Sequence, residues 1–397
     1  MSGFKKRGAL VALLLAFALI AAACGSSDDT TTTAAAAQET TTTAAPAETT
    51  TTAAEETTTT ESTAFDGTPI KACLVTDLAG VDDRSFNASA WAGVEAAVES
   101  GHATEDSFFL ESDAADDWQP NIDQMLAAGC EHIVTVGFAL GEVTAINAQA
   151  ETDVIWTMVD NVLTDADFAP LALPNVRETV YQTDQAAFAA GYLAAGVSAT
   201  GVMCTYGGAN FPTVSIFMDG FTRGAAHYND VKGTDVTVIG WDSDLGDGTF
   251  TGSFTDMALA RSTAEGQFQE NCDITIPVGG AINLPAGDAI TDLGIDGALI
   301  GVDTDAFFAA PEQYQDLWLT SVLKALDTFV TIAIQEDAEG TWAPGAFTGT
   351  LENEGVGLAP FHSWDDRVSD ELAAEVLQLL EDIKSGVIKA DFTPVGY

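Results

Sequence analysis

The sequence predicts an α/β protein built of two doubly wound lobes in tandem, and three observations predict it. From residue 70 onward short apolar runs alternate with longer amphipathic stretches, which is the rhythm of strand–helix–strand units. The rhythm restarts after Tyr181, so a second series follows the first. Beyond Cys24, four cysteines repeat in like places: Cys73 and Cys204 lie inside the first apolar run of a series, Cys130 and Cys272 just before a later one.

The N-terminus carries Lys5-Lys6-Arg7, an apolar run over 9–20, and then Ala21-Ala22-Ala23-Cys24-Gly25-Ser26-Ser27. That is the layout of a secretory signal over 1–24, and the run is too short for a comfortable transmembrane span. A cysteine after small residues resembles the bacterial lipobox, although Ala21 stands where Leu or Val is usual. The reading expects a diacylated Cys24 at the cell membrane and leaves an ordinary secretory signal open. Residues 25–66 are dominated by Thr, Ala and Glu, with no aromatic or large aliphatic residue before Phe65. Such a stretch cannot bury a core and reads as a disordered tether, either O-glycosylated or plain.

Removing Lys5, Lys6 and Arg7 from 13 basic residues leaves ten against 60 acidic ones, a net charge of about −50. A surface of that sign repels nucleic acid and anionic lipid head groups. Basic residues become informative because they are rare. The four cysteines suit an oxidising compartment, where Cys73–Cys130 and Cys204–Cys272 would each tie the first strand of a lobe to the start of another. Four buried thiols are the alternative at this point. No metal-binding spacing of Cys and His occurs, and no metal or cofactor is expected.

In the first lobe strands are predicted at 70–75, 106–110, 133–136 and 154–159, with helices at 88–100, 118–128 and 141–151. In the second, helices at 182–197, 214–229 and 256–270 alternate with strands at 201–205, 236–241, 273–277 and 298–301. Strands buried by helices on both faces imply mainly parallel, Rossmann-like sheets. The division expected is 67–180 with 322–341 for lobe 1, and 181–321 with 342–397 for lobe 2. Three strands would cross between them, near 177–181, 320–321 and 341–347.

In open sheets of this kind ligands bind beyond the carboxyl ends of the strands. The residues standing there are Asp77, Gly137-Phe138, Asp160, Gly207-Gly208, Gly279-Gly280 and Asp303. Carboxylates and aromatics facing one cleft suit a flat, polyhydroxylated molecule.

The densest cluster is Thr76-Asp77-Leu78-Ala79-Gly80-Val81-Asp82-Asp83-Arg84-Ser85-Phe86-Asn87. It is followed in order by Gly137-Phe138, Asp160, the run 185–192, Gly207-Gly208, Gly220-Phe221-Thr222-Arg223-Gly224-Ala225, Gly252-Ser253-Phe254-Thr255-Asp256, Gly301-Val302-Asp303-Thr304-Asp305 and Thr320-Ser321-Val322-Leu323-Lys324. This ordered set resembles the basic membrane protein family of substrate-binding lipoproteins, whose characterised members are purine-nucleoside receptors of ABC importers. The resemblance implies a type I periplasmic-binding-protein fold, a small-molecule ligand, an ABC permease as partner and a monomer. It also implies that Phe86 and Phe254 stack on the base, that Asn87 and Asp160 meet base edges or ribose, and that Asp77, Asp303 and Lys324 hold ribose hydroxyls. Phe138 and Gly279 complete the expected set.

Several of these residues have a plainer reading. Phe86 could staple its helix, Phe138 could be packing, and Asp83 or Ser85 could cap the following helix. Trp241 and Phe250 compete with Phe254 for the second ring, because the acidic insertion 242–248 blurs the alignment. Gly279-Gly280 departs from the richer Gly-Thr-Gly turn usual in the family. A nucleoside or glycoside hydrolase working with two cleft carboxylates is the rival of another class. No Gly-x-Ser-x-Gly, His-Glu-x-x-His or P-loop pattern supports it, and His102, His132, His227 and His362 are scattered. The expected function is therefore non-catalytic reception for an importer, with a surface sensor as the alternative.

Overall fold

The computed structural model describes residues 65–165, 167 and 169–390. The signal over 1–24, Cys24 and the tether up to residue 64 lie outside the described residues. None of the helices described is long and apolar enough to cross a membrane.

The first series contributes β1 (Ala72–Val75), α1 (Phe86–Glu99), β2 (Phe108–Leu110), α2 (Trp118–Ala127), β3 (His132–Val136), α3 (Gly141–Ala150), β4 (Ile155–Val159) and β5 (Val176–Tyr181). The second contributes α4 (Thr183–Val197), β6 (Val202–Gly207), α5 (Pro212–Lys232), β7 (Thr237–Ile239) and a small hairpin of β8 (Trp241–Asp242) and β9 (Asp247–Gly248). It continues through α6 (Met257–Gln269), β10 (Ile274–Val278), α7 (Leu284–Leu293), β11 (Ala298–Asp303), α8 (Ala306–Ala309) and β12 (Trp318–Lys324). The remaining chain forms α9 (Leu326–Glu339), β13 (Gly345–Gly349), β14 (Val356–Leu358) and α10 (Asp370–Lys384).

Two six-stranded sheets result, ordered β13-β5-β4-β3-β1-β2 and β14-β12-β11-β10-β6-β7. All pairs are parallel except β12 with β14. The main strands are buried along their whole length, as parallel strands covered on both faces must be. The lobes are doubly wound and repeat each other strand for strand, so β4 corresponds to β11, β3 to β10 and β5 to β12.

The repetition extends to the cysteines. Cys73–Cys130 and Cys204–Cys272 are both disulfides, each joining the first strand of a lobe to the residues ahead of its neighbouring strand.

The crossings fall elsewhere than expected. Residues 345–349 pair with β5 in the first sheet, whereas the sequence reading gave 342–397 to the second lobe. Likewise 322–324 complete β12 in the second sheet, whereas the sequence pattern assigns them to the first lobe. The chain therefore passes between lobes after Tyr181, after Lys324 and after Gly349. These crossings are bonded to one another, Gln182 N–H to the Gly349 carbonyl at 2.8 Å and Ala325 N–H to the Gly355 carbonyl at 3.0 Å. The reason for the shift is that Gly345-Ala-Phe-Thr-Gly349 is an exposed edge strand and carries no apolar run to announce it.

Candidate functional site

Between the carboxyl ends of the two sheets lies a cavity of about 570 Å³ including its open mouth. Asp77, Phe86, Asn87, Phe138, Asp160, Phe254, Gly279, Asp303 and Lys324 all line it, so the structure brings the nine residues singled out in the sequence to one place.

The loop after β1 is shaped by its own polar side chains. Asp83 accepts from the backbone N–H of Ser85 (3.0 Å), Asn87 (2.8 Å) and Ala88 (3.0 Å), which satisfies the free donors at the start of α1. Capping thus falls to Asp83. Asn87 is fully buried, and its amide donates to Asp77 Oδ1 at 2.7 Å and to Asp83 Oδ2 at 3.0 Å. Both its N–H groups are engaged in bracing the loop. Asp77 Oδ1 also accepts from Ala79 N–H at 3.0 Å. Among the described residues no hydrogen bond reaches Asp77 Oδ2, which remains an acceptor on the cavity wall.

Asp160 and Asp303 stand at corresponding strand ends, the first directly after β4 and the second closing β11. Both have left-handed backbones, with φ of 58° and 66°, a conformation that Asp tolerates better than most residues. Each carboxylate is thereby turned inward toward Lys324. The Lys324 ammonium is 2.7 Å from Asp160 Oδ2 and 3.7 Å from Asp303 Oδ1. It also lies 4.7 Å from the Phe217 ring centroid, 5.6 Å from that of Phe86 and 5.8 Å from that of Tyr181. An ammonium this buried is held by ionic partners and ring faces together. Asp303 Oδ2 lies 2.8 Å from the Ser85 hydroxyl, a contact across the cleft.

Burial pushes the Asp77 carboxyl up to about 6, against the bonds from Ala79 and Asn87, with Asp83 and Asp303 adding repulsion. Burial likewise pushes Asp303 up to about 6, although Lys324 and Ser85 pull the other way. Asp160 and Asp83 are raised for the same first reason, opposed by Lys324 in one case and by the α1 amides in the other. Several carboxyl groups share one lysine in a poorly solvated space.

The opposite wall is apolar. The Phe254 ring lies 6.0 Å from that of Phe211, and Phe211 lies 5.2 Å from Phe138. Trp241 and Phe250 pack behind this wall, where Trp241 Nε1 donates to Asp219 at 3.0 Å, and neither lines the cavity. Two glycines keep the walls close. Gly137 has φ 101°, and a Cβ there would come within 3.1 Å of Asp77 Oδ2. Gly279 has φ 151°, and its Cβ would meet the Phe254 ring at 2.9 Å. Among the described residues no group of three or more His, Cys, Asp or Glu side chains is arranged to hold a metal ion.

The family model of Bmp, described as ABC transporter substrate-binding protein PnrA-like, matches residues 70–391. The chain belongs to the Bmp family. It is 25% identical over 335 residues to the ABC transporter nucleoside-binding protein BmpA of Lactococcus lactis, covering 81% of this chain and 89% of that one. It is 26% identical over 265 residues to basic membrane protein D of Borreliella burgdorferi, covering 66% and 71%. The fold is that of an ABC transporter solute-binding protein from Aeropyrum pernix, with a TM-score of 0.72 at 22% identity over 83% of this chain and 94% of the other. As a Bmp protein the chain is a substrate-binding component of an ABC transporter and not an enzyme. It takes a small molecule, works with a permease and acts outside the cytoplasm, a compartment that suits its two disulfides.

Sequence reasoning missed part of the cavity of this Bmp protein. Phe211, Thr213, Val214 and Phe217 line it from the first turns of α5, and Ala139 from the turn after β3. Phe211 was findable, since it follows strand β6 and precedes Pro212 at a helix start. Phe217 was not, because a phenylalanine inside an amphipathic helix reads as core.

Proposed function

We propose that this chain captures a nucleoside, most readily a purine nucleoside, and delivers it to its permease. The observation that carries the reading is the division of one cavity into an aromatic wall and a carboxylate-rich wall. Phe86 and Phe254 are available to the faces of a neutral base, where each offset ring pair adds about 0.5 to 1.5 kcal/mol beyond burial. Asp77 Oδ2 and the Asp160–Lys324–Asp303 group are available to vicinal hydroxyls, which carboxylates accept through short charge-assisted bonds. A phosphate would meet four carboxylates and one lysine, so the nucleoside is favoured over the nucleotide. The 25%-identical nucleoside-binding protein of Lactococcus lactis supports the same reading. Cys24 would carry the lipid anchor, and residues 25–66 would tether the lobes to the membrane. The lobes would close on the ligand because the closed form binds it more tightly.

Isothermal titration of the purified mature chain with inosine, adenosine, guanosine, uridine and ribose tests the ligand. Saturable binding of a purine nucleoside with no binding of ribose is the expected outcome. Absence of binding to every nucleoside would remove the reading.

A further inference from the structure

Phe138 and Phe211 come from different lobes, yet their ring centroids are 5.2 Å apart. Each ring has a rigid mount. Phe211 is extended in front of Pro212, and its carbonyl accepts from Val214 N–H and Ser215 N–H, both at 2.9 Å, at the start of α5. Phe138 opens the turn after Gly137, where its carbonyl accepts from the Asn161 amide at 3.0 Å. Both rings are only half-buried, although Phe211 also packs against the hydrophobic core.

Their position in the sheets matters as much as their contact. In the sheet orders, β3 stands two strands from β5 and β6 three strands from β12, the strands that feed the hinge. Polar contacts also cross the cleft, among them Lys324 with Asp160, Ser85 with Asp303, and Arg84 with the Ala309 carbonyl at 3.3 Å. Polar partners exchange for water at modest net cost when the lobes part, whereas an apolar pair has no such exchange. A contact set away from the hinge strands has a lever against opening.

We propose that Phe138 and Phe211 form an aromatic gate across the cleft, which holds the closed form and sets how long a ligand stays. The retention role rests on the nucleoside reading, but the closure role does not, and the experiment separates them. Spin labels on Val162→Cys and Leu245→Cys, exposed positions on lobe 1 and lobe 2, report the distance across the cleft without any ligand. Without ligand a fraction of the labelled chain is expected at the short distance of the closed form, and that fraction should fall on adding Phe211→Ala or Phe138→Ala. In unlabelled protein, stopped-flow release of inosine should quicken by about 2- to 12-fold in either variant, the range an aromatic pair supports. The double variant should be no faster than the faster single one. Circular dichroism melting accompanies each variant, and agreement between substitutions from opposite lobes excludes a local folding defect.

Label distances that do not change in either variant overturn the gate, and so does release that stays as slow or quickens additively. If inosine fails to bind while the distances shift as expected, the gate stands and the nucleoside assignment falls.

Discussion

Lys324 Nζ lies 2.7 Å from Asp160 Oδ2, and the two residues end strands of different sheets. Lys324 is the last residue of β12, at the point where the chain leaves the second lobe for the first. The pair therefore fastens the floor of the cleft beside the hinge, and both side chains are almost wholly withdrawn from water. A charge so placed is tolerable only with its partner.

Lys324→Met should accordingly destabilise the fold by about 3 to 5 kcal/mol at pH 7.5, because Asp160 and Asp303 are left buried without a counter-ion. At pH 5 the loss should shrink, since Asp303, raised to about 6, then takes up a proton, and burial raises Asp160 in the same direction. Denaturant unfolding at the two pH values checks this, and an equal loss at both would show that the lysine acts through packing alone.

The raised carboxyls give stability an unusual slope. Asp77 and Asp303 titrate near 6 in the folded chain and near 3.8 when unfolded. Between those values the folded state holds protons that the unfolded state has released, so the contribution of these groups falls as pH rises from about 4 to 6 and is flat above. Asp303→Asn should flatten the slope and raise stability at pH 7.5 by up to about 3 kcal/mol, the upper bound from two pKa units. The checking measurement is the difference between the unfolding free energies of the two proteins across pH 4.5 to 7.5.

Phe86→Ala should weaken nucleoside binding by about 2 kcal/mol, or roughly 30-fold, as loss of a central aromatic contact does. Calorimetry on the variant decides it. An unchanged affinity would make Phe86 a helix staple under Lys324 and nothing more.

The disulfides close loops of 57 and 68 residues, for which chain entropy alone gives about 4 kcal/mol each. Replacing either pair by alanine should cost about 2 to 4 kcal/mol. Since each bond lies within one lobe, the loss should appear in denaturant midpoints while ligand affinity holds.

Much of the fold was legible because buried parallel strands are written as apolar runs, and Ile133-Val-Thr-Val136 or Ile274-Thr-Ile276 has few other uses. The cavity residues were legible for a related reason: the strand-end rule and the resemblance together pointed to Asp77, Phe138, Asp160, Gly279 and Asp303. Gly345–Gly349 escaped because an exposed edge strand needs no apolar side chains, and with it the true crossing points of the hinge.

The alternation of elements, the repeated cysteine placement and the rare residues that stand where strands end are written in the chain alone, since these depend on local pattern and chain order. It took the folded arrangement to show that Asn87 gives its amide to two aspartates, that Lys324 takes Asp160 as its nearest partner, and that Phe211 reaches Phe138. Those outcomes depend on distances between segments far apart in the chain, and on how much water two facing lobes exclude from the carboxylates between them. No local pattern encodes either quantity.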